Sequence, residues 1–190
     1  MKKTITGGIV GGIILFVWGA IAWTVLPLHK PSTHSMANED AVISALRASG
    51  GEKGMYFLPA MPEGAGPEHD AWMQKFKQGP LAMINYNPVG ADPMMPGQFI
   101  AGLIINLIAG FLAAWFLSRS TAEGSSYLSR VIFCGMLGIF ASFSSHLLAW
   151  NWLYFPLDYT TAMVADTVIG WLLAGLGIAA IVKTPKMATS

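Results

Sequence analysis

The chain has 190 residues, a formal net charge of +1 and a single cysteine. Charged residues make up 11% of it and apolar residues 54%, against about 25% and about 45–50% in soluble domains. The charge balance argues against a nucleic-acid surface, which needs a clustered basic face. One thiol excludes an intrachain disulfide and a Cys-built zinc site.

The first element is an apolar run over 8–27, preceded by Lys2 and Lys3. At ~1.5 Å per residue it is long enough to cross a hydrocarbon core of about 30 Å. Ala20-Ile21-Ala22 has the form of a signal-peptide cleavage site, but the apolar run continues through Trp23, Thr24, Val25 and Leu26. It therefore reads as an uncleaved anchor. Gly8 and Gly12 put small residues one turn apart, the spacing that lets helices approach closely in lipid.

Residues 28–98 follow as a long polar-to-mixed segment. His29 to His34 is polar and contains proline, which predicts a linker. Asn38-Glu39-Asp40 predicts an N-cap with acids in the first turn, and Gly50-Gly51 predicts its end. Met55-Tyr56-Phe57-Leu58 predicts a strand. Pro67-Glu68-His69-Asp70 opens a second helix, with Trp72, Met73 and Phe76 on one side, and 81–86 predicts a second strand. Two helix–strand units suggest a small α/β insertion with paired strands, and a helical crossover permits a parallel pair.

This segment is rich in methionine, and soft thioether and imidazole ligands suit Cu(I). Met94, Met95 and His69 are the first candidates for such a site. Their spacings are scattered, and Met is also ordinary core filler, so no cofactor is required.

The second apolar run is 99–118, the third 131–150 and the fourth 163–182. Gly102, Asn106 and Gly110 share a face of the second run; Gly138 and His146 lie on one face of the third; Asp166 and Gly170 on one face of the fourth. Such faces predict tight helix packing. The link over 119–130 carries Arg119 and Arg130, the tail over 183–190 carries Lys183 and Lys186, and the link over 151–162 has neither Lys nor Arg. The positive-inside rule then places both termini and the 119–130 link in the cytoplasm, with 28–98 and 151–162 in a periplasm or its equivalent. The chain is thus expected to be a multi-pass protein of the inner (plasma) membrane. The expected fold is an all-α transmembrane four-helix bundle with a small extracytoplasmic α/β insertion between helices 1 and 2.

Polar residues inside the spans read first as interhelical glue, and an ionisable one is also a functional-site hypothesis by default. Runs three and four form a hairpin that brings His146 and Asp166 to similar depth. His146 is the expected partner of Asp166, with Asn106 second. The three are candidates for a proton- or ligand-binding site. Haem b between helices ordinarily takes two axial ligands, and His146 is the only histidine within a run. Ser142 and Ser145 lack an acyl-transfer motif, which argues against an enzyme.

Two functions fit these features. The first is a non-catalytic subunit or assembly factor of a larger membrane complex, docking through the periplasmic segment. The alternative is an oligomeric transporter of a small solute, a proton-linked substrate or copper, with an outward-facing polar site. Both require the lipid bilayer, and either a protein partner or a homo-oligomer.

Overall fold

A computed structural model of the chain describes residues 1–120 and 125–183. Lys186 of the expected basic tail, and residues 121–124 of the expected cytoplasmic link, lie outside the described residues. The elements in order are α1 Lys2–Thr24, a single 3₁₀ turn Lys30–Ser32, α2 Glu39–Ala48, β1 Gly54–Leu58, α3 Pro67–Gln78, β2 Ala82–Tyr86, α4 Pro96–Arg119, α5 Tyr127–Ser144, α6 His146–Leu153 and α7 Leu157–Ile181. The chain divides into a helical unit, Met1–His34 with Met94–Ser190, and a second unit, Ser35–Pro93.

Among the described residues, four stretches are long and apolar enough to cross a membrane: α1, α4, α5 with α6, and α7. Their mean hydropathies run from 1.8 to 2.3, so the chain is a multi-pass membrane protein. α1 and α7 form the centre of the helical unit. α4 packs chiefly on α1 and α5 chiefly on α7, so the helices follow one another across the unit as α4–α1–α7–α5. Ala113, Ala114, Leu117, Cys134, Ala174, Ile178 and Val182 make the buried core.

Small residues set the spacing of these helices, because lipid supplies no hydrophobic drive between them. A Cβ added to Gly8 would stand 2.6 Å from Phe111 Cα, and one added to Gly12 would stand 2.6 Å from Leu107 Cα. A Cβ on Gly110 would strike the backbone of Gly8 and Gly12 in return. A Cβ on Gly138 would press on Trp171, whereas one on Gly102 meets only Phe16 at an ordinary 3.7 Å. Cys134 is a buried free thiol beside Gly175.

Two ends of the helices differ from the expectation. The third run is broken at Ser145, whose φ of −130° and ψ of −70° separate α5 from α6. Ser144 and Ser145 both turn their hydroxyls back on the preceding turn, bonding Phe140 O and Ala141 O, a habit that bends helices. The expected link over 151–162 shrinks to 154–156, where Tyr154 adopts a left-handed conformation with φ 58°. α7 starts early because its polar first turn bonds to itself: Thr160 Oγ1 donates to Pro156 O, and Tyr159 N donates to Asp158 Oδ1. Arg130 is buried and gives its Nε and Nη2 to Ala179 O. It thereby places a cation at the C-terminal end of α7, where the helix dipole favours one.

In the second unit, Asn38 caps α2 by accepting from Ala41 N at 3.1 Å. β1 and β2 pair antiparallel, with Gly54 opposite Tyr86 and Leu58 opposite Ala82. The parallel pairing entertained from the helical crossover is thus corrected. Residues 59–66 can extend about 26 Å, more than the ~18 Å length of the 12-residue α3. They are thus long enough to take the chain out from the sheet so that α3 can bring it back to the strand end it left, where Ala82 stands opposite Leu58. Trp72 Nε1 on α3 donates to Pro59 O at 3.3 Å, which ties the helix to the end of β1. Met73 and Met83 are half-buried here, as are Trp72, Phe76 and Tyr86. None of Ser35–Pro93 is buried.

Candidate functional site

Asp166 lies nine residues into α7, about 13 Å along its axis, and its side chain is only 14% exposed. A carboxylate at such a place needs partners, and α1 supplies the first. Trp18 Nε1 donates to Asp166 Oδ1 at 2.6 Å and shares the same hydrogen with Asp166 O at 3.1 Å. Gly170, one turn along α7, makes room for the indole: a Cβ there would stand 2.8 Å from Trp18 Cδ1.

The second partner comes from the segment after α1. The chain leaves the helix at Val25, and Pro27 and Pro31 turn it back on itself. His29 caps the 3₁₀ turn, its carbonyl accepting from Ser32 N at 3.1 Å and Ser32 Oγ at 2.9 Å. Its ring stacks on Trp23, with centroids 3.9 Å apart and planes 12° from parallel. Nε2 lies 3.1 Å from Asp166 Oδ2. The tautomer with its proton on Nε2 fits, because Nδ1 is buried without a partner among the described residues and a lone pair there costs less than an orphaned N–H. His29 as a whole is 4% exposed. The expected polar linker is therefore a lid folded onto the carboxylate.

His146 is level with this part of α7, but its Nε2 lies 3.2 Å from Thr167 Oγ1. Successive helical residues point about 100° apart, so Asp166 faces α1 while Thr167 faces the α5–α6 side. The expected His146–Asp166 pair is thus replaced by His29–Asp166 and His146–Thr167. Asn106, the second expected partner, donates its Nδ2 to Gly102 O at 2.9 Å within α4. It does share a cavity wall with Asp166: a space of about 490 Å³ lies between α1, α4 and α7 and includes both residues.

Of the metal candidates, Met94 and Met95 are 70% and 46% exposed, and His69 sits against Trp72 with ring centroids 5.3 Å apart. His34 makes a solvent-exposed contact with Asp158 at 3.9 Å. Among the described residues, no three His, Cys, Asp or Glu side chains gather into a metal site.

Sequence reasoning missed Trp18 and His29. One signal was available for His29: it stands five residues beyond the end of α1, so a chain turned by two prolines could not carry it far from the helix end. Trp18 had no such signal, since an indole within an apolar run is also ordinary packing. No protein family, no curated protein and no solved structure matches this chain.

Proposed function

We propose that this protein is a non-catalytic accessory or assembly subunit of a larger complex in the inner (plasma) membrane. In this reading its four spans form a helix bundle with both termini in the cytoplasm, and Ser35–Pro93 is a periplasmic insertion that docks the partner. The observation that carries the reading is the second unit's want of a core. It has two helices and a two-stranded sheet, yet buries none of its residues, and Met55, Phe57 and Leu58 of β1 are each about half exposed. An insertion of 59 residues is below the size at which a single core is self-sufficient. Apolar patches of this kind mark protein contact sites, and aromatic residues with Met are enriched in interface cores.

Purification in mild detergent, read by mass spectrometry, tests the reading. A stoichiometric second protein is expected, and Phe57→Glu is expected to release it while leaving the amount of membrane-inserted chain unchanged. Recovery of this chain alone from native membranes would overturn it.

The cavity beside Asp166 favours a second reading, an oligomeric transporter whose polar site includes Asn106 and Asp166. It predicts that Asp166→Asn abolishes transport at unchanged protein level. The bonds that Trp18 and His29 make to Asp166 weigh toward a structural role for the carboxylate, which is why the subunit reading comes first.

A further inference from the structure

The space of about 490 Å³ between α1, α4 and α7 is walled by Phe16, Trp18, Asn106, Asp166, Thr167 and Trp171, among other residues. Its size and its mix of aromatic walls with a few polar groups are those of a small-molecule site. The polar groups are unbalanced. An ionised carboxylate has about four acceptor positions, and Trp18 and His29 occupy two of those on Asp166. Asn106 commits one of its two amide hydrogens to Gly102 O, keeps the other, and adds its carbonyl oxygen as a further acceptor. The indole N–H of Trp18 is already given to Asp166, and Thr167 Oγ1 is engaged with His146. No Lys or Arg is among the residues that line the space. The cavity therefore offers more acceptors than donors, and a carboxylate with no Lys or Arg beside it, which suits a ligand that brings N–H donors and positive charge.

We propose that this cavity binds a lipophilic amine, with its ammonium on the Asp166 carboxylate and its apolar body against Phe16, Trp18 and Trp171. The aromatic faces add cation–π attraction near the ammonium. A zwitterionic phospholipid carries the same ammonium, but its phosphate would meet Asp166 without any cation to balance it. A quaternary ammonium keeps the charge and loses the N–H donors. The proposal rests on this cavity and is independent of the docking reading for the second unit.

The test is binding of radiolabelled octylamine to the purified full-length chain in a neutral detergent, by scintillation proximity. Octanol, octyltrimethylammonium and a short-chain phosphatidylethanolamine serve as competitors. Saturable binding is expected, with each competitor weaker than unlabelled octylamine by about tenfold or more, the scale of a charge-assisted hydrogen bond. Two variants localise it. Gly19 lines the cavity, and a Cβ built on it meets nothing within 4 Å outside its own stretch of chain, so Gly19→Leu has room to project its side chain into the space while leaving the three bonded side chains, Trp18, His29 and Asp166, unchanged in identity. It is expected to abolish binding at unchanged thermal stability. Asp166→Asn is expected to weaken octylamine about tenfold or more, to the level of octanol; if that variant does not fold, Gly19→Leu decides alone. Octanol or the phospholipid competing as well as octylamine, or wild-type affinity in Gly19→Leu, overturns the proposal.

Discussion

Asp166 is held from two directions by residues far away in sequence, and this has an energetic signature. Each hydrogen bond within a membrane contributes about 0.6–2 kcal/mol. Trp18→Phe removes the indole N–H that reaches Oδ1, and His29→Ala removes the ring that reaches Oδ2. Each is expected to lower stability in detergent by an amount of that order. The double variant is expected to depart from additivity, because both donors hydrogen-bond one carboxylate and its desolvation is felt in full only when both are gone. Thermal or denaturant unfolding of the four proteins of the cycle measures the coupling. Strict additivity would mean that the two contacts do not share a common acceptor. The sequence carried half of this site. That Asp166 requires a partner follows from its place in an apolar run, but which partner depends on a 100° difference in facing between Asp166 and Thr167. A run of apolar residues does not encode that rotation, since its neighbours are equally apolar on most sides.

The α1–α4 contact depends on glycines whose absent side chains are the point. The Cβ of a residue at Gly8 would meet the backbone of Phe111, which cannot swing aside as a side chain does. Gly8→Leu is therefore expected to part α1 from α4 and to destabilise the helical unit by about 1–3 kcal/mol or more. Ile9→Leu, at a residue that is 48% exposed, is expected to change stability little. Unfolding in detergent, with disulfide cross-linking between cysteines placed on α1 and α4, reads both. Equal stability of the two variants would remove the close approach as the organising contact. Elements were legible to different degrees. The four spans follow from apolar runs and helical rise alone. The helix break at Ser145 does not, because a serine inside a span reads equally as a packing residue or as a backbone-bonding one. The pairing sense of β1 and β2 also escaped: residue type marks the strands but holds no arrow, and the reach of residues 59–66 permits the antiparallel return that is found.

Across the whole molecule, the orientation proposed from Lys2, Lys3, Arg119, Arg130 and Lys183 has a direct test. Cys134 is buried, so the native chain gives a low background with a membrane-impermeant maleimide. Val89→Cys, at a residue that is 92% exposed, is expected to label in intact cells. Lys2→Cys is expected to label only after the membrane is opened. The reverse pattern would invert the proposed topology and move the docking surface to the other side of the membrane.

The pairing of Asp166 with Trp18 and His29 spans 148 and 137 residues of chain. At ordinary rates of translation, Trp18 and His29 emerge on the order of 10 s before Asp166 exists. Throughout that interval the lid has nothing to close on, and α1 lacks α7, one of its two main neighbours. A nascent chain that stops short of residue 166 leaves the indole N–H of Trp18 and the ring of His29 without the carboxylate that both meet in the finished protein. Completion of the last helix is therefore the event that turns a set of inserted segments into a closed structure.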